Sequence, residues 1–349
     1  MGVSTGKPGA EPECLDCARG PVLLCRPQCM LPGKGIRDNL YYADLVWIKT
    51  MVLDRLRILQ NQLISLVVSY LTLRNPVLAT RILFRHIMGY PLNLARPATY
   101  NEKMQWLKLY NETPLMIECG DKYGVRRYVK ERGCGELLNE IYGVYASADE
   151  IDFSVLPQKF VLKITNACGY NIICDKGDLD EGKVRNQLKK WQKQPFGLAT
   201  AEPHYSHMQS RIICERFFVT AERGILHDYR VHCLNGVPVY VAATRQKQAG
   251  QPYRALRFDF KKDWIALPGE TDEGQGLMAM LPSDEMLAEL HAYAKILSAG
   301  IKLVRIDFYI VDRKVYLGEM TFTPGAGLLK NVDFVFQNPK YSHYLQGLC

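Results

Sequence analysis

The sequence predicts an α+β protein in which a helical N-terminal part precedes lobes built on β-sheets. The chain has 349 residues, which is long enough for two or three packed lobes that share a cleft. Residues 40–132 have mostly helical patterns, and from Gly143 the sequence changes to short apolar or alternating runs bounded by turn residues, which is typical of strands. With 48% hydrophobic and 23% charged residues, the composition excludes disordered, collagen-like and coiled-coil classes.

Helices are predicted from apolar spacing and from residues that begin or end helices. A later helix, Ser283–Ser298, interrupts the strands, because Ser283 suits an N-cap and Gly300 a C-terminal stop. The N-terminal helices are a long apolar one from near Tyr42, then Pro76–Met88, Asn101–Tyr110 and Asp121–Glu131. The predicted strands are Phe160–Ile164, Ile172–Cys174, Arg211–Phe218, Tyr229–Leu234, Val237–Ala242, Leu303–Val311 and Val315–Phe322.

The net charge is modestly positive. The 44 Lys and Arg residues outnumber 36 Asp and Glu by eight, and the segment from Arg74 to Arg132 alone has a net charge of +6. A solvated basic face is the favoured interpretation, and a surface for an anionic substrate, nucleotide or lipid head group is the alternative. No nucleic-acid-binding motif accompanies the segment, so we expect no nucleic-acid partner.

Residues 1–36 have the composition of an irregular leader rich in Cys, Pro and Gly. Four thiols, at Cys14, Cys17, Cys25 and Cys29, could hold zinc, but the short central gap and the prolines favour a loose tail. No apolar signal segment follows Met1, so we expect a cytoplasmic protein. The apolar stretch Leu63–Leu73 is about half the length that spans a bilayer, and we interpret it as a packed helix in preference to an interfacial membrane helix.

Residues 302–327 form the most informative segment, because two predicted strands fold there into an antiparallel hairpin. Its register places Asp307 opposite Glu319, and it places Arg305 opposite Thr321 on the same face. Directly opposed carboxylates repel, so something must compensate. A divalent cation does so, because Mg²⁺ takes one or two carboxylates together with phosphate oxygens. The alternative is that Arg305 neutralises the pair as a buried ion network.

The same register predicts a three-residue turn, Asp312-Arg313-Lys314, and an apolar second face that packs on the core. The residues of that face are Val304, Ile306, Phe308, Ile310, Tyr316, Met320 and Phe322.

Three further features suit a nucleotide. Lys163 ends an apolar strand and precedes a loop of small residues, which suits phosphate binding by one charge and backbone N–H groups. Lys122 is predicted in the first turn of a helix, and Glu215 is a lone carboxylate in a strand. Both lysines also have an ordinary structural explanation: Lys163 as a surface lysine before a turn, and Lys122 as part of an exposed helix end.

Five motifs accompany these features: residues 99–110 (TYNEKMQWLKLY), 121–123 (DKY), 156–163 (LPQKFVLK), 305–309 (RIDFY) and 318–324 (GEMTFTP). Taken in order, the features resemble the ATP-grasp superfamily, and the motifs resemble the TupA-like family of bacterial surface-polysaccharide biosynthesis, named for teichuronopeptide assembly. The resemblance covers about residues 80–335.

The resemblance implies two sheet-based lobes that clasp ATP, preceded by a helical N-terminal region. It implies that Lys122 and Lys163 contact the ATP phosphates and that Glu215 belongs to the adenine and ribose wall. The loop over the phosphates would include Asn166, Gly169 and Asn171. Asp307 and Glu319 would bind Mg²⁺, with Mn²⁺ as an alternative, Thr321 would be a weaker metal ligand where many relatives have Asn, and Arg305 would stabilise the transferring phosphoryl group.

The implied activity is an ADP-forming carboxylate–amine ligase that joins an amino acid or amine to an anionic sugar or glycan precursor, with peripheral contact at the inner face of the membrane. A metal-dependent glycosyltransferase and a non-catalytic nucleotide-binding accessory protein are the alternatives. The expected divisions are a leader (1–36), a helical extension (37–79), a catalytic region (80–335) and a tail (336–349). The catalytic region divides at 142/143 and 222/223. The oligomeric state stays open.

Overall fold

The computed structural model describes residues 36–219, 226–245, 255–268 and 280–349, with side chains from residue 53 onward. The four clustered cysteines and the expected leader therefore lie outside the described residues, except for Ile36. The chain divides into two units, residues 1–58 and 59–349. The second unit contains both sheets. The expected domain boundaries stay predictions.

The helices follow the predicted pattern, with local differences. Thr99 begins α3 with a capping box, because its hydroxyl accepts from the Glu102 N–H while Glu102 accepts from the Thr99 N–H. The predicted helix Asp121–Glu131 begins only at Val125, so Lys122 lies in the preceding turn rather than in a helix. The helices are α1 Ile36–Thr72, α2 Pro76–Met88, α3 Tyr100–Tyr110, α4 Pro114–Gly120, α5 Val125–Glu131, α6 Glu181–Gln192, α7 Asp284–Ser298, α8 Lys330–Gln337 and α9 Pro339–Ser342.

The described strands form two antiparallel sheets. The small sheet has the order β1-β4-β2-β3, and the large sheet has the order β7-β6-β5-β8-β9. The strands of the small sheet are β1 Ile141–Tyr145, β2 Lys159–Ile164, β3 Asn171–Asp175 and β4 Ile212–Arg216. Those of the large sheet are β5 His227–Leu234, β6 Val237–Arg245, β7 Ala255–Phe258, β8 Leu303–Val311 and β9 Lys314–Thr321.

Each sheet has an apolar core on one face. Val304, Ile306 and Phe308 of β8 are at most 1% exposed and share a core with Leu290 of α7, as the alternation in β8 predicts. The small sheet packs with α6 through Leu188. The opposite face of the large sheet packs on α3 and α8 around Tyr240 and Ala242, and the rest of that face carries polar side chains such as Asp307 and Glu319.

The predicted register of the hairpin is confirmed where it matters for the site, but its turn is different. Asp307 pairs with Glu319, whereas the register shifts by one residue beyond Asp307. The turn has two residues, Asp312 and Arg313, both with positive φ, which is typical of a tight hairpin. Gly318 absorbs the extra residue as a bulge. An added Cβ there would lie 2.9 Å from the Tyr309 ring.

Because of the bulge, one residue that was predicted in the core, Tyr316, lies on the other face. Tyr316 pairs with Tyr309 and lies on the polar face, where its hydroxyl accepts a hydrogen bond from Arg216 at 3.1 Å. Val315 and Leu317 take the core positions instead. Alternation beyond a bulge is inverted, because one extra residue moves every later side chain to the other face.

The stretch Leu63–Leu73 packs on one side only. Val68 is fully buried against Ala79 and Leu83, while Leu66 is 70% exposed. The prediction of a packed helix therefore holds for one face of α1. Within the described residues, no helix is long and apolar enough to cross a membrane.

Candidate active site

Arg305 holds the two opposed carboxylates of the hairpin together. Its Nε and one terminal nitrogen donate to the two oxygens of Asp307 at 2.6 and 2.5 Å. The same terminal nitrogen donates to Glu319 at 3.1 Å and to the Thr321 hydroxyl at 3.2 Å, and that hydroxyl donates to Glu319 at 3.0 Å. In this structure Arg305 therefore neutralises the acidic pair, as the second of the two interpretations of the hairpin predicts. The arginine and the metal ligands of the prediction form one network.

Lys122 connects this network to the small-residue loop that follows β2. Its Nζ lies 3.6 Å from a Glu319 oxygen and donates to the Ala167 carbonyl at 2.5 Å. The turn that carries it is held by Asp121, whose carboxylate accepts from the Tyr123 and Gly124 N–H groups. The Lys122 N–H also donates to the Thr165 carbonyl. Lys122 is therefore positioned from both its backbone and its side chain.

The remaining predicted nucleotide ligands lie in the small sheet. Lys163 and Glu215 form an ion pair at 2.5 Å on neighbouring strands, with side chains 19% and 11% exposed. In the loop, Gly169 has a φ of +75°, which favours glycine, while Asn166 is half-buried and Asn171 begins β3. Lys163 is bound to Glu215 rather than to the hairpin, so the two lysines belong to different clusters.

Two charged residues of the site are absent from the sequence prediction. Arg230 of β5 pairs with Asp307 of β8; its Nε donates to Asp228 at 2.8 Å and lies 3.9 Å from Asp307. The other Asp228 oxygen, Oδ1, is buried and has no hydrogen-bond partner within the described structure. The signal in the sequence is an alternation, since Asp228, Arg230 and His232 occupy every second position of one strand.

Burial and neighbouring charges drive the pKa values of the acidic residues apart. Burial raises the pKa of Asp307 to about 7, although the Arg305 guanidinium opposes the rise. Burial also raises the pKa of Asp228. For Glu319, burial acts in the same direction, but Lys122 and Arg305 outweigh it and lower the pKa to about 2. Glu319 is therefore the carboxylate that stays ionised.

The donor set suits a divalent cation bound together with phosphate oxygens. No group of three or more His, Cys, Asp or Glu side chains forms a metal cage in the described part of the chain. Two carboxylates and a hydroxyl lie side by side at Asp307, Glu319 and Thr321, and Mg²⁺ needs only one or two protein carboxylates when a nucleotide supplies further oxygens. Because a carboxylate has about four lone-pair positions, Asp307 keeps acceptor capacity beside its two bonds to Arg305.

Buried polar side chains of α3 donate hydrogen bonds to the loop that follows β9. Gln105 of α3 donates to the Ala326 and Gly327 carbonyls at 2.9 and 2.7 Å, and Lys108 donates to the Ala326 carbonyl at 3.4 Å. Gly325, Ala326 and Gly327 all have positive φ. The helix therefore fixes a strained loop next to the acidic hairpin.

Glu202 completes this buried support. Its carboxylate accepts hydrogen bonds from the hydroxyls of Thr200 at 2.6 Å and Thr323 at 2.5 Å. Burial raises the pKa of Glu202. Burial lowers the pKa of Lys108 to about 8, and the negative charge of Glu202 opposes that shift. Sequence reasoning missed both residues, because their segments are far apart in the chain.

Two antiparallel sheets, one with a lysine and a small-residue loop and the other with an arginine and an acidic hairpin, define the ATP-grasp class of protein. The chain belongs to the TupA-like ATP-grasp family, whose model matches residues 102–338. The predicted family, the predicted fold class and the prediction of an ATP-grasp enzyme are thereby confirmed. A search of curated proteins finds no matching sequence.

The chain is also distantly similar to solved structures. The D-alanine–D-alanine ligase from Helicobacter pylori is 13% identical, with 71% of this chain and 67% of that chain covered and a TM-score of 0.39. An N5-carboxyaminoimidazole synthase from Aspergillus clavatus is 9% identical, with 63% and 50% covered and a TM-score of 0.36. This chain thus spans half to two thirds of the length of those proteins.

Proposed function

We propose that this protein is an ATP- and Mg²⁺-dependent carboxylate–amine ligase that acts in bacterial surface-polysaccharide biosynthesis. The observation that carries the proposal is the network of Arg305, Asp307, Glu319 and Lys122 against the loop of the small sheet. It places two cations and two carboxylates together, as transfer of a phosphoryl group from ATP requires.

In the proposed reaction, a substrate carboxylate oxygen attacks the γ-phosphorus of ATP. The bond from that phosphorus to the β,γ-bridging oxygen breaks, and ADP leaves. An amine then attacks the acyl carbon, phosphate departs and the nitrogen loses a proton, which gives an amide. A bound Mg²⁺ would offset phosphate charge, held by Asp307 and Glu319 with Thr321 as a third, weaker ligand.

The roles of this chain's own residues are binding and orientation. The Arg305 guanidinium has a planar fork that suits phosphoryl oxygens, and Lys122 and Lys163 would supply charge to the phosphates. Glu215, with Asn166, Gly169 and Asn171 of the loop, would line the nucleotide. The proposed substrates are an amino acid or amine and an anionic sugar or uronic acid, in the cytoplasm at the inner face of the membrane.

Hydroxylamine trapping tests the reaction without knowledge of the natural amine. The purified chain is incubated with ATP, Mg²⁺, hydroxylamine and a panel of amino acids and uronic acids. We expect ADP and a hydroxamate with one class of acid, because hydroxylamine intercepts an acyl phosphate. The Asp307→Asn protein is the matched control. Consumption of a sugar nucleotide without release of ADP would instead support a glycosyltransferase, and ATP binding without turnover an accessory protein.

A further inference from the structure

An apolar stripe on α1 is left uncovered by the described residues. Five side chains of this stripe are 56–70% exposed. They are Leu59, Leu63, Leu66, Tyr70 and Leu73. The opposite side of the helix is anchored, since Val68 is fully buried against Ala79 and Leu83. The stripe is therefore a face that the catalytic unit presents to the outside, and five such side chains in a row are more than scattered surface residues.

The spacing of the stripe is that of a coiled-coil seam. Successive members are four, three, four and three residues apart, an average of 3.5, which is the period of a two-stranded coiled coil. The same register continues in the sequence through Leu56, Val52 and Lys49 to Leu45. In heptad terms, Leu45, Val52, Leu59, Leu66 and Leu73 are d positions, and Lys49, Leu56, Leu63 and Tyr70 are a positions.

The side chains around the stripe favour a protein partner over a lipid surface. Residues 58–73 contain no charged residue. A helix that lies in a membrane interface commonly carries Lys and Arg on its polar face, whereas Gln60, Gln62 and Ser65 are neutral. Arg57 and Arg74 border this uncharged segment at its two ends, and Arg74 stacks on Tyr70 with 4.1 Å between its guanidinium carbon and the ring centroid.

Charge also permits a second copy of the same helix. The positions beside the seam that face each other in a parallel pair would bring Arg55 against Gln60 and Ser69 against Arg74, so no like charges oppose each other there. Lys49 is the one charged residue on the seam from Leu45 to Leu73, and in a parallel pair it faces the same residue of the other copy. A single polar a position specifies the oligomeric state at a cost in stability.

We propose that α1 is a self-association helix through which two copies of this chain form a two-stranded coiled coil. The seam is the heptad series from Leu45 to Leu73, and the part of it with described side chains comprises Leu56, 56% exposed, and the exposed stripe from Leu59 to Leu73. The proposal is independent of the reaction, because neither the hairpin nor the loop of the small sheet takes part.

Sedimentation velocity on the full chain tests the proposal. Between about 1 and 50 µM we expect a species of twice the chain mass of 39.8 kDa. The double variant Leu63→Asp/Leu66→Asp should dissociate, with a dissociation constant at least about 100-fold higher, because it buries charge on the seam. The matched control, Val155→Asp/Ile173→Asp, changes side chains that are 75% and 51% exposed outside α1 and should stay dimeric. Far-UV circular dichroism checks that both variants fold.

The substitution Lys49→Ile tests the register separately, because removal of the polar a residue should tighten self-association. An unchanged dissociation constant would overturn the heptad assignment. A wild-type monomer over the whole concentration range, or a dimer that survives Leu63→Asp/Leu66→Asp, would overturn the proposal. If the monomer instead floats with vesicles of phosphatidylglycerol and the double variant does not, the stripe binds lipid and the proposal is equally refuted.

Discussion

Replacement of Lys108 by Met should change how the stability of the protein depends on pH. Lys108 is 3% exposed, and burial lowers its pKa from 10.5 to about 8. Since the folded-state pKa lies below the unfolded value, the unfolded chain binds more protons between pH 8 and 10.5. Wild-type stability therefore gains a contribution from this residue as the pH rises through that window, and the contribution is absent below it.

The size of the effect follows from the shift. A change of about 2.5 pKa units corresponds to about 3 kcal/mol, at 1.36 kcal/mol per unit. Other groups titrate in the same window, including thiols such as Cys119, whose pKa burial raises to about 12. Their contributions cancel when the variant is compared with the wild type at each pH. The difference in unfolding free energy, wild type minus Lys108→Met, should therefore rise by about 3 kcal/mol from pH 7.5 to 10.5.

Urea unfolding monitored by circular dichroism at closely spaced pH values measures this difference. Lys103→Met is the matched control for loss of a lysine from the same helix, because Lys103 is only half-buried, and the Lys108→Met profile is read against it. If the difference for Lys108→Met does not change with pH, Lys108 has an ordinary pKa in the folded protein, and the inference that burial lowers its pKa is wrong.

Three further outcomes follow from the site. Asp307→Asn and Glu319→Gln should each reduce ATP turnover, measured as ADP release, by about 100-fold or more with an unchanged circular dichroism spectrum; wild-type turnover in either variant would remove the hairpin from the mechanism. Gly318→Ala should lower the free energy of unfolding, measured with urea, by about 1–3 kcal/mol, since its Cβ would lie 2.9 Å from the Tyr309 ring; an unchanged free energy would mean that the bulge relaxes freely. Gln105→Ala should cost about 2 kcal/mol or more in the same assay, because the buried Gly327 carbonyl loses its donor and the Ala326 carbonyl keeps only the longer bond from Lys108, and a cost near zero would contradict that support.

The sequence predicts the site well where it depends on one hairpin. Period-two alternation places Arg305, Asp307, Glu319 and Thr321 on one face. The predicted pairing of Asp307 with Glu319 is correct because two differences cancel: the turn is one residue shorter than predicted, and the bulge at Gly318 restores the register. The bulge at Gly318 escapes that reasoning, because the turn was assigned three residues and the register kept constant. A glycine inside a strand is the available signal, and it would have moved Tyr316 to the polar face.

Contacts between distant segments are the part that the sequence does not predict. Asp228 and Arg230 reach the site because β5 lies beside β8, an adjacency of non-consecutive strands that no local pattern encodes. The strand was also predicted to begin one residue after Asp228. Lys108 and Glu202 meet through tertiary packing alone, and burial of both is improbable on residue type.

Charge balance in the acidic network has a consequence for nucleotide binding. Three basic side chains face three acidic ones, so the network is neutral without a further ion when all three carboxylates are ionised. These are Lys122, Arg230 and Arg305 against Asp228, Asp307 and Glu319. A cation that binds the carboxylates would compete with Arg305 and Lys122 for their oxygens, and the freed donors would then face an anionic phosphate chain. The guanidinium would exchange carboxylate oxygens for phosphoryl oxygens with its hydrogen bonds retained. The ion network and the proposed metal site are therefore two alternative states of the same side chains. The structure shows the first state, in which Arg305 binds the carboxylates.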